Sequence, residues 1–214
     1  MATDAAVTAP EIAEEDQIAE EDRLRADLYA FLAAMLARPP DRTLLDRAAA
    51  LEGDDTPIGQ GAAALARVAR ATTETAARRE FNALFIGVGR GELVPYASFY
   101  MTGFLNEKPL ARLRRDMARL MIEREKNVHE PEDGIASLCE MMAGLIRGSF
   151  GAPASLAEQR DFFATHLGPW AGHFFSDLEG ADSSVLYAPV GKIGGAFMDV
   201  EREAFRMEGA AAPN

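Results

Sequence analysis

Apolar residues recur along this chain at helical spacing. Leu24, Leu28, Phe31, Leu32 and Met35 fall at i, i+4, i+7, i+8 and i+11. Leu110, Leu113, Met117 and Leu120 repeat the pattern, as do Ile135, Leu138, Met142 and Leu145, and then Phe163, Leu167, Trp170 and Phe174. Each set makes a stripe on one helix face that must be buried against another helix. No sustained apolar/polar alternation marks a half-buried strand. About forty of the 214 residues are alanine, while Val, Ile and Thr are sparse. Alanine enters a helix at little cost, whereas β-branched side chains lose χ1 freedom there. The pattern predicts an all-α chain.

The punctuation divides it. Pro39-Pro40 stops a first helix and Asp41 can cap the next. Gly53 to Gly61 reads as a turn-rich break, followed by a long helix from Ala62 to Ile86. Gly87, Gly89 and Gly91 open a loop that runs to Pro95. Pro109 suits the first turn of a helix reaching Arg124. Lys126 to Asp133 is a polar connector, hinge-like over 126–134, and a helix then runs to Gly148. Ser155 with Glu158 three residues on reads as a capping box. Gly180 to Gly195 reads as a loop and Ala196 to Met207 as a last helix. The expectation is one compact bundle of roughly eight or nine helices over residues 21–208, with a flexible C-terminus over 209–214.

The charge is uneven. The formal net charge is −12, from 22 Lys+Arg and 34 Asp+Glu. Eight acids and no Lys or Arg lie between Met1 and Asp22, so the rest of the chain is only four charges negative. Residues 1–20 are expected to form a disordered acidic tail. No Lys/Arg surplus is available to displace counterions from nucleic acid. No apolar run approaches the ~18–20 residues of a membrane span, and the tail lacks the basic and apolar regions of a signal peptide. The expectation is a soluble cytoplasmic protein that is not itself exported.

Few residues suggest chemistry. One cysteine, Cys139, excludes an intrachain disulfide and a thiolate cluster, and it falls beside an apolar stripe. His166 and His173 stand two helical turns apart, without zinc-hydrolase spacing. The glycines at 87, 89 and 91 form neither GxGxxG, because Glu92 stands at the last position, nor a P-loop. Arg112, Arg114, Arg115, Arg119, Arg124 and Lys126 read as a solvated helix face, an anion site being the sharper alternative. The segment Val128 to Ile135 sets Glu130, Glu132 and Asp133 before an amphipathic helix. These carboxylates suit either the helix macrodipole, with Asp133 as N-cap, or a basic, partly apolar peptide.

Four blocks resemble the TorD/DmsD family of cytoplasmic chaperones for molybdenum-containing redox enzymes. They are Glu80-Phe81-Asn82-Ala83-Leu84-Phe85-Ile86-Gly87, Leu93-Val94-Pro95-Tyr96-Ala97-Ser98-Phe99-Tyr100, Glu130-Pro131-Glu132-Asp133-Gly134, and Phe162 to Trp170 with Phe174-Phe175 following. The third block is similar to the family's Glu-Pro-x-Asp-His hinge motif, with Gly134 at the His position. The resemblance implies a non-enzymatic chaperone. It would bind the twin-arginine signal peptide, the body, or both, of an apo molybdenum oxidoreductase, delaying export until the cofactor is inserted. Formate dehydrogenase or a DMSO/TMAO reductase-type enzyme would be the client. The implied signal-peptide residues are Phe81, Leu84, Phe85, Pro95, Tyr96, Ser98, Glu130 and Asp133. The aromatic and aliphatic ones would meet the apolar stretch. Glu130 and Asp133 would meet the arginines or shape the hinge. The alternative for Phe81, Leu84 and Phe85 is plain core packing, and for Ser98 a local cap.

No metal or cofactor is implied. Some relatives form domain-swapped dimers, and the 126–134 connector is where a swap hinge would sit. Two other functions stay open from the residues alone. One is a small nucleotide- or metal-dependent hydrolase using His129, Glu130 and Asp133. The other is an assembly subunit retained in a respiratory complex.

Overall fold

The structure, a computed structural model, describes residues 19–87, 91–124 and 130–211. The acidic tail before residue 19, Gly89, His129, Lys126 and most of the connector, and residues 212–214 lie outside the described residues. The described residues form ten α-helices: α1 Glu20–Ala37, α2 Arg42–Ala49, α3 Pro57–Ala71, α4 Glu74–Phe81, α5 Ala97–Thr102, α6 Lys108–Arg119, α7 Ile135–Arg147, α8 Leu156–Phe162, α9 Ala171–Gly180 and α10 Tyr187–Ala211. Two π-helical turns, Asn82–Ile86 and Phe163–Leu167, extend α4 and α8. Among the described residues the only extended pairing is an isolated antiparallel bridge between Tyr96 and Gly134.

The chain is all-α, as its periodicity predicts. α1 packs along α7, α10 lies against α9 and α3, and α2 closes on α3. Trp170, Tyr29, Tyr187, Phe174 and Phe175 fill the centre. Their polar tips are satisfied inside: Trp170 Nε1 donates to the His166 carbonyl at 2.7 Å, and the Tyr187 hydroxyl donates to the Met35 carbonyl at 3.0 Å.

The local caps form where the sequence places them. The Asp41 side chain accepts from Leu44 N at 2.9 Å. Ser155 and Glu158 make a reciprocal capping box, Pro109 sits in the first turn of α6, and Gly148 ends α7 in the left-handed conformation.

Several boundaries differ. The segment 57–61 is helical, because Thr56 caps α3 ahead of Pro57. The expected helix from Ala62 to Ile86 breaks at Thr72-Thr73. There Thr72 turns extended and the Thr73 hydroxyl accepts from Ala76 N, starting α4. The helix before the connector ends at Arg119 rather than Arg124, and the short helix α5 is additional. Together these changes give ten helices where eight or nine are expected. Leu24, the first member of the α1 stripe, is exposed.

The largest difference is α10, which starts at Tyr187 and runs through Gly191, Gly194 and Gly195. Small residues are needed there because α9 approaches closely. A Cβ at Gly191 would lie 2.5 Å from Glu179 N, and one at Gly194 would lie 2.3 Å from the Phe175 ring. A Cβ at Gly195 would have its nearest neighbour at 3.9 Å. Gly191→Ala is therefore expected to destabilise by about 1–3 kcal/mol through overpacking. Gly195→Ala is expected to stabilise by about 0.5–1 kcal/mol through helix propensity. Thermal melts of the two variants, shifting in opposite directions, check this.

Candidate functional site

Asp133 joins two of the blocks singled out in the sequence. Its carboxylate Oδ2 accepts from Ser98 N at 2.8 Å and its carbonyl accepts from Ala97 N at 2.9 Å. Ile135 N donates to the Pro95 carbonyl at 2.9 Å, completing the bridge. Asp133 thus caps α5 from a distant segment, whereas Gly134 occupies the N-cap position of α7. Asp133 and Ser98 are fully buried. Asp133 Oδ1 and Ser98 Oγ have no hydrogen-bond partner among the described residues. The Tyr96 ring lies against Gly134, where a Cβ would come within 3.3 Å of it. A histidine at this position would need Tyr96 to shift. Burial, then Glu130 and Asp133, push the Tyr96 hydroxyl pKa up.

The fold therefore brings together Pro95, Tyr96, Ser98 and Asp133. Phe81, Leu84 and Phe85 belong to a separate aromatic cluster. Phe81 and Phe85 meet edge to face at 4.9 Å, and Phe85 meets Tyr187 of α10 at 5.6 Å. Phe81 and Leu84 are buried and Phe85 is half-buried, which is the core alternative. Two acids lock this cluster to the α9–α10 connection. Glu80 accepts from Val185 N at 2.7 Å and Tyr187 N at 2.9 Å, and Glu92 accepts from Asp182 N at 2.6 Å and Ser183 N at 3.1 Å.

The three acids before α7 have different fates. Glu130 is exposed, while Glu132 is buried. Glu132 Oε2 accepts from Arg114 Nε at 3.1 Å and Nη2 at 2.9 Å, and its Oε1 lies 3.3 Å from Arg124 Nη1. Burial alone would raise the Glu132 pKa, but Arg114 and Arg124 outweigh it and hold it below the usual range. Arg124 also donates to the Glu130 carbonyl at 3.0 Å.

Arg124, Glu130 and Glu132 line part of a cleft of about 600 Å³ that sequence reasoning missed. Its floor is Ala30, Ala33, Ala34 and Ala37 of α1, with Met141 and Gly144 of α7 and Phe150 beyond. Glu123, Glu130 and Glu140 stand around it, all exposed. Their side chains make no ion pair or hydrogen bond among the described residues. Of the described residues lining the cleft, Arg124 pairs with Glu132 and Arg147 with Asp27. The cleft thus has an apolar floor and three carboxylates that pair with no cation among the described residues. The missed signal was the alanine spacing 30, 33, 34 and 37, one face of α1 kept small.

The remaining candidates are structural. Cys139 is fully buried, and burial pushes its thiol pKa well up, away from the reactive thiolate. His173 is exposed, whereas His166 is buried with Nε2 2.9 Å from Asp116 Oδ2. Burial outweighs Asp116 and lowers the His166 pKa. Exposed Glu130 and buried Asp133 are not gathered into a ligand pair, and His129 lies outside the described residues. No group of described residues could hold a metal ion, and no helix among them is long and apolar enough to cross a membrane.

The family described as nitrate reductase delta subunit matches residues 51–176. The chaperone protein TorD of Vibrio cholerae serotype O1 (strain N16961) is 30% identical over 130 residues, covering 58% of this chain and 59% of the relative. TorD of Vibrio parahaemolyticus serotype O3:K6 is 27% identical over 130 residues, covering 57% of this chain and 60% of the relative. The match thus spans about three-fifths of these relatives' own length. A structure described as a redox enzyme maturation protein from Archaeoglobus fulgidus superposes with a TM-score of 0.54. It is 20% identical and covers 82% of this chain and 94% of the other, which establishes a shared fold. The chain belongs to the nitrate reductase delta subunit family, the TorD/DmsD family that its sequence blocks resemble.

Proposed function

We propose that this chain is a cytoplasmic maturation chaperone without catalytic turnover. Its client is the apo form of a molybdenum-containing redox enzyme, and it holds the client's twin-arginine signal peptide until the cofactor is inserted. The observation that carries the reading is the α1–α7 cleft: an apolar floor beneath three carboxylates that no cation among the described residues neutralises. A signal peptide of this class presents an arginine pair followed by an apolar stretch. Guanidinium forks make charge-assisted bonds to such carboxylates, and a peptide's apolar face suits such a groove.

In this reading Glu130 meets the arginines directly, joined by Glu123 and Glu140. Pro95 and Tyr96 do not line the cleft and serve to bridge the segment before α5 to the start of α7. Asp133 and Ser98 act from inside, fixing α5 to the start of α7. Phe81, Leu84 and Phe85 hold the core that carries these elements. Calorimetric titration with a twin-arginine signal peptide tests the function.

The family description as a delta subunit favours a second reading, an assembly subunit that stays with its enzyme. Stoichiometric retention of the chain in the purified mature enzyme would support it. Absence from the mature enzyme supports the chaperone.

A further inference from the structure

The basic run around α6 is sorted by the fold into two groups. Arg114 and Arg124 turn to Glu132. Arg112, Arg115 and Arg119, at i, i+3 and i+7, share a helix face and line a cavity of about 430 Å³. The opposite wall comes from α8 and its π-helical turn, through Phe162, Thr165 and His166.

Positive charge in this cavity is under-compensated. One carboxylate, Asp116, serves both His166 Nε2 at 2.9 Å and Arg119 Nε at 3.6 Å. The other, Asp161, lies 3.5 Å from Arg160. Among the described residues Arg112 donates only to the Thr165 hydroxyl, at 3.4 Å. Arg115 has no ion pair or hydrogen bond from its side chain among the described residues. Two guanidinium forks on successive turns are therefore available, in a chain whose net charge is −12.

We propose that this cavity binds a phosphate-class dianion. A planar guanidinium matches two phosphate oxygens at once, and a tetrahedral dianion can engage two forks from different directions. A carboxylate offers one edge and one charge, and would leave the second fork unused. The Thr165 hydroxyl adds a donor at the same place. Phe162, whose ring centroid is 4.9 Å from that of His166, lies in the core beneath the cavity and is almost wholly buried, so a monoester's organic group would project towards solvent. The site shares no lining residue with the α1–α7 cleft, so it stands independently of the peptide reading.

The test is a calorimetric titration of the full chain with inorganic phosphate, then with phenyl phosphate, at constant ionic strength set with chloride. Saturable binding of one anion per chain is expected. Arg112→Gln and Arg115→Gln should each weaken it on the order of tenfold. Arg67→Gln on α3, an exposed site with the same change of charge, should leave it unchanged. Arg112 and Arg115 are exposed, so unchanged far-UV circular dichroism is the expected fold control. Tighter binding of phenyl phosphate would assign the site to a monoester, and equal binding to free phosphate. Binding that does not saturate, or that falls equally in Arg67→Gln, would overturn the proposal.

Discussion

Arg25→Ala is expected to destabilise the protein by about 3–5 kcal/mol, lowering the melting temperature by roughly 6–20 °C. Glu201 of α10 is almost wholly buried. Its carboxylate accepts from Arg25 Nε at 2.7 Å, Arg25 Nη2 at 2.9 Å and the Tyr29 hydroxyl at 3.0 Å. Arg25 also bonds Asp22 at 2.6 Å and Gln159 of α8 at 3.2 Å, so one guanidinium joins α1, α8 and α10. Burial alone would lower the Arg25 pKa, but Glu201 and Asp22 outweigh it and hold it above its ordinary value. Removing the arginine leaves a buried carboxylate facing only Tyr29, and that stranded charge is the source of the cost. The paired change Arg25→Met with Glu201→Leu removes both charges and is expected to recover most of the loss. A double variant no more stable than Arg25→Ala would show that the network matters through packing instead.

Reversing Glu130 and Glu140 together, as Glu130→Lys with Glu140→Lys, is expected to weaken signal-peptide binding on the order of a hundredfold. Both side chains are exposed and unpaired among the described residues, so the change should leave the fold intact. Each reversal removes an acceptor and places a like charge beside the arginine pair. The loss should also be smaller at high salt, because exposed charges are screened. The same two-charge reversal at Glu14 and Glu15, in the acidic segment before α1, should change affinity little. Equal losses at the two places would mean that net charge, rather than the cleft, attracts the peptide. Asp133 is unsuited to this comparison: it is buried and caps α5, so its reversal would report on folding.

What the sequence discloses depends on how local each cause is. Asp41, Pro109, Gly148 and the Ser155–Glu158 box act within one helical turn, and each is legible from its neighbours. Thr73 carried an equally local signal, but the alanine-rich run around it masked the break. The helical course of α10 through Gly191 and Gly194 is different in kind. Glycine there answers to the backbone and ring of α9, a contact that no window of sequence contains. The junction of Pro95, Tyr96, Ser98 and Asp133 was accessible only through motif resemblance. Its burial follows from Asp133 reaching 35 residues back to the start of α5. The cleft was hidden for a simpler reason. Its alanines read as helix formers, and an open groove is defined by what the neighbouring helices leave uncovered.

The most direct measurement is calorimetric titration of the unaltered chain with a twin-arginine signal peptide from a molybdoenzyme, at two salt concentrations. A matched peptide with the Arg-Arg pair changed to Ala-Ala serves as control. Saturable binding that weakens with salt and is lost or greatly reduced in the control is the result expected of a signal-peptide chaperone. Equal binding of both peptides, or none of either, would contradict that function.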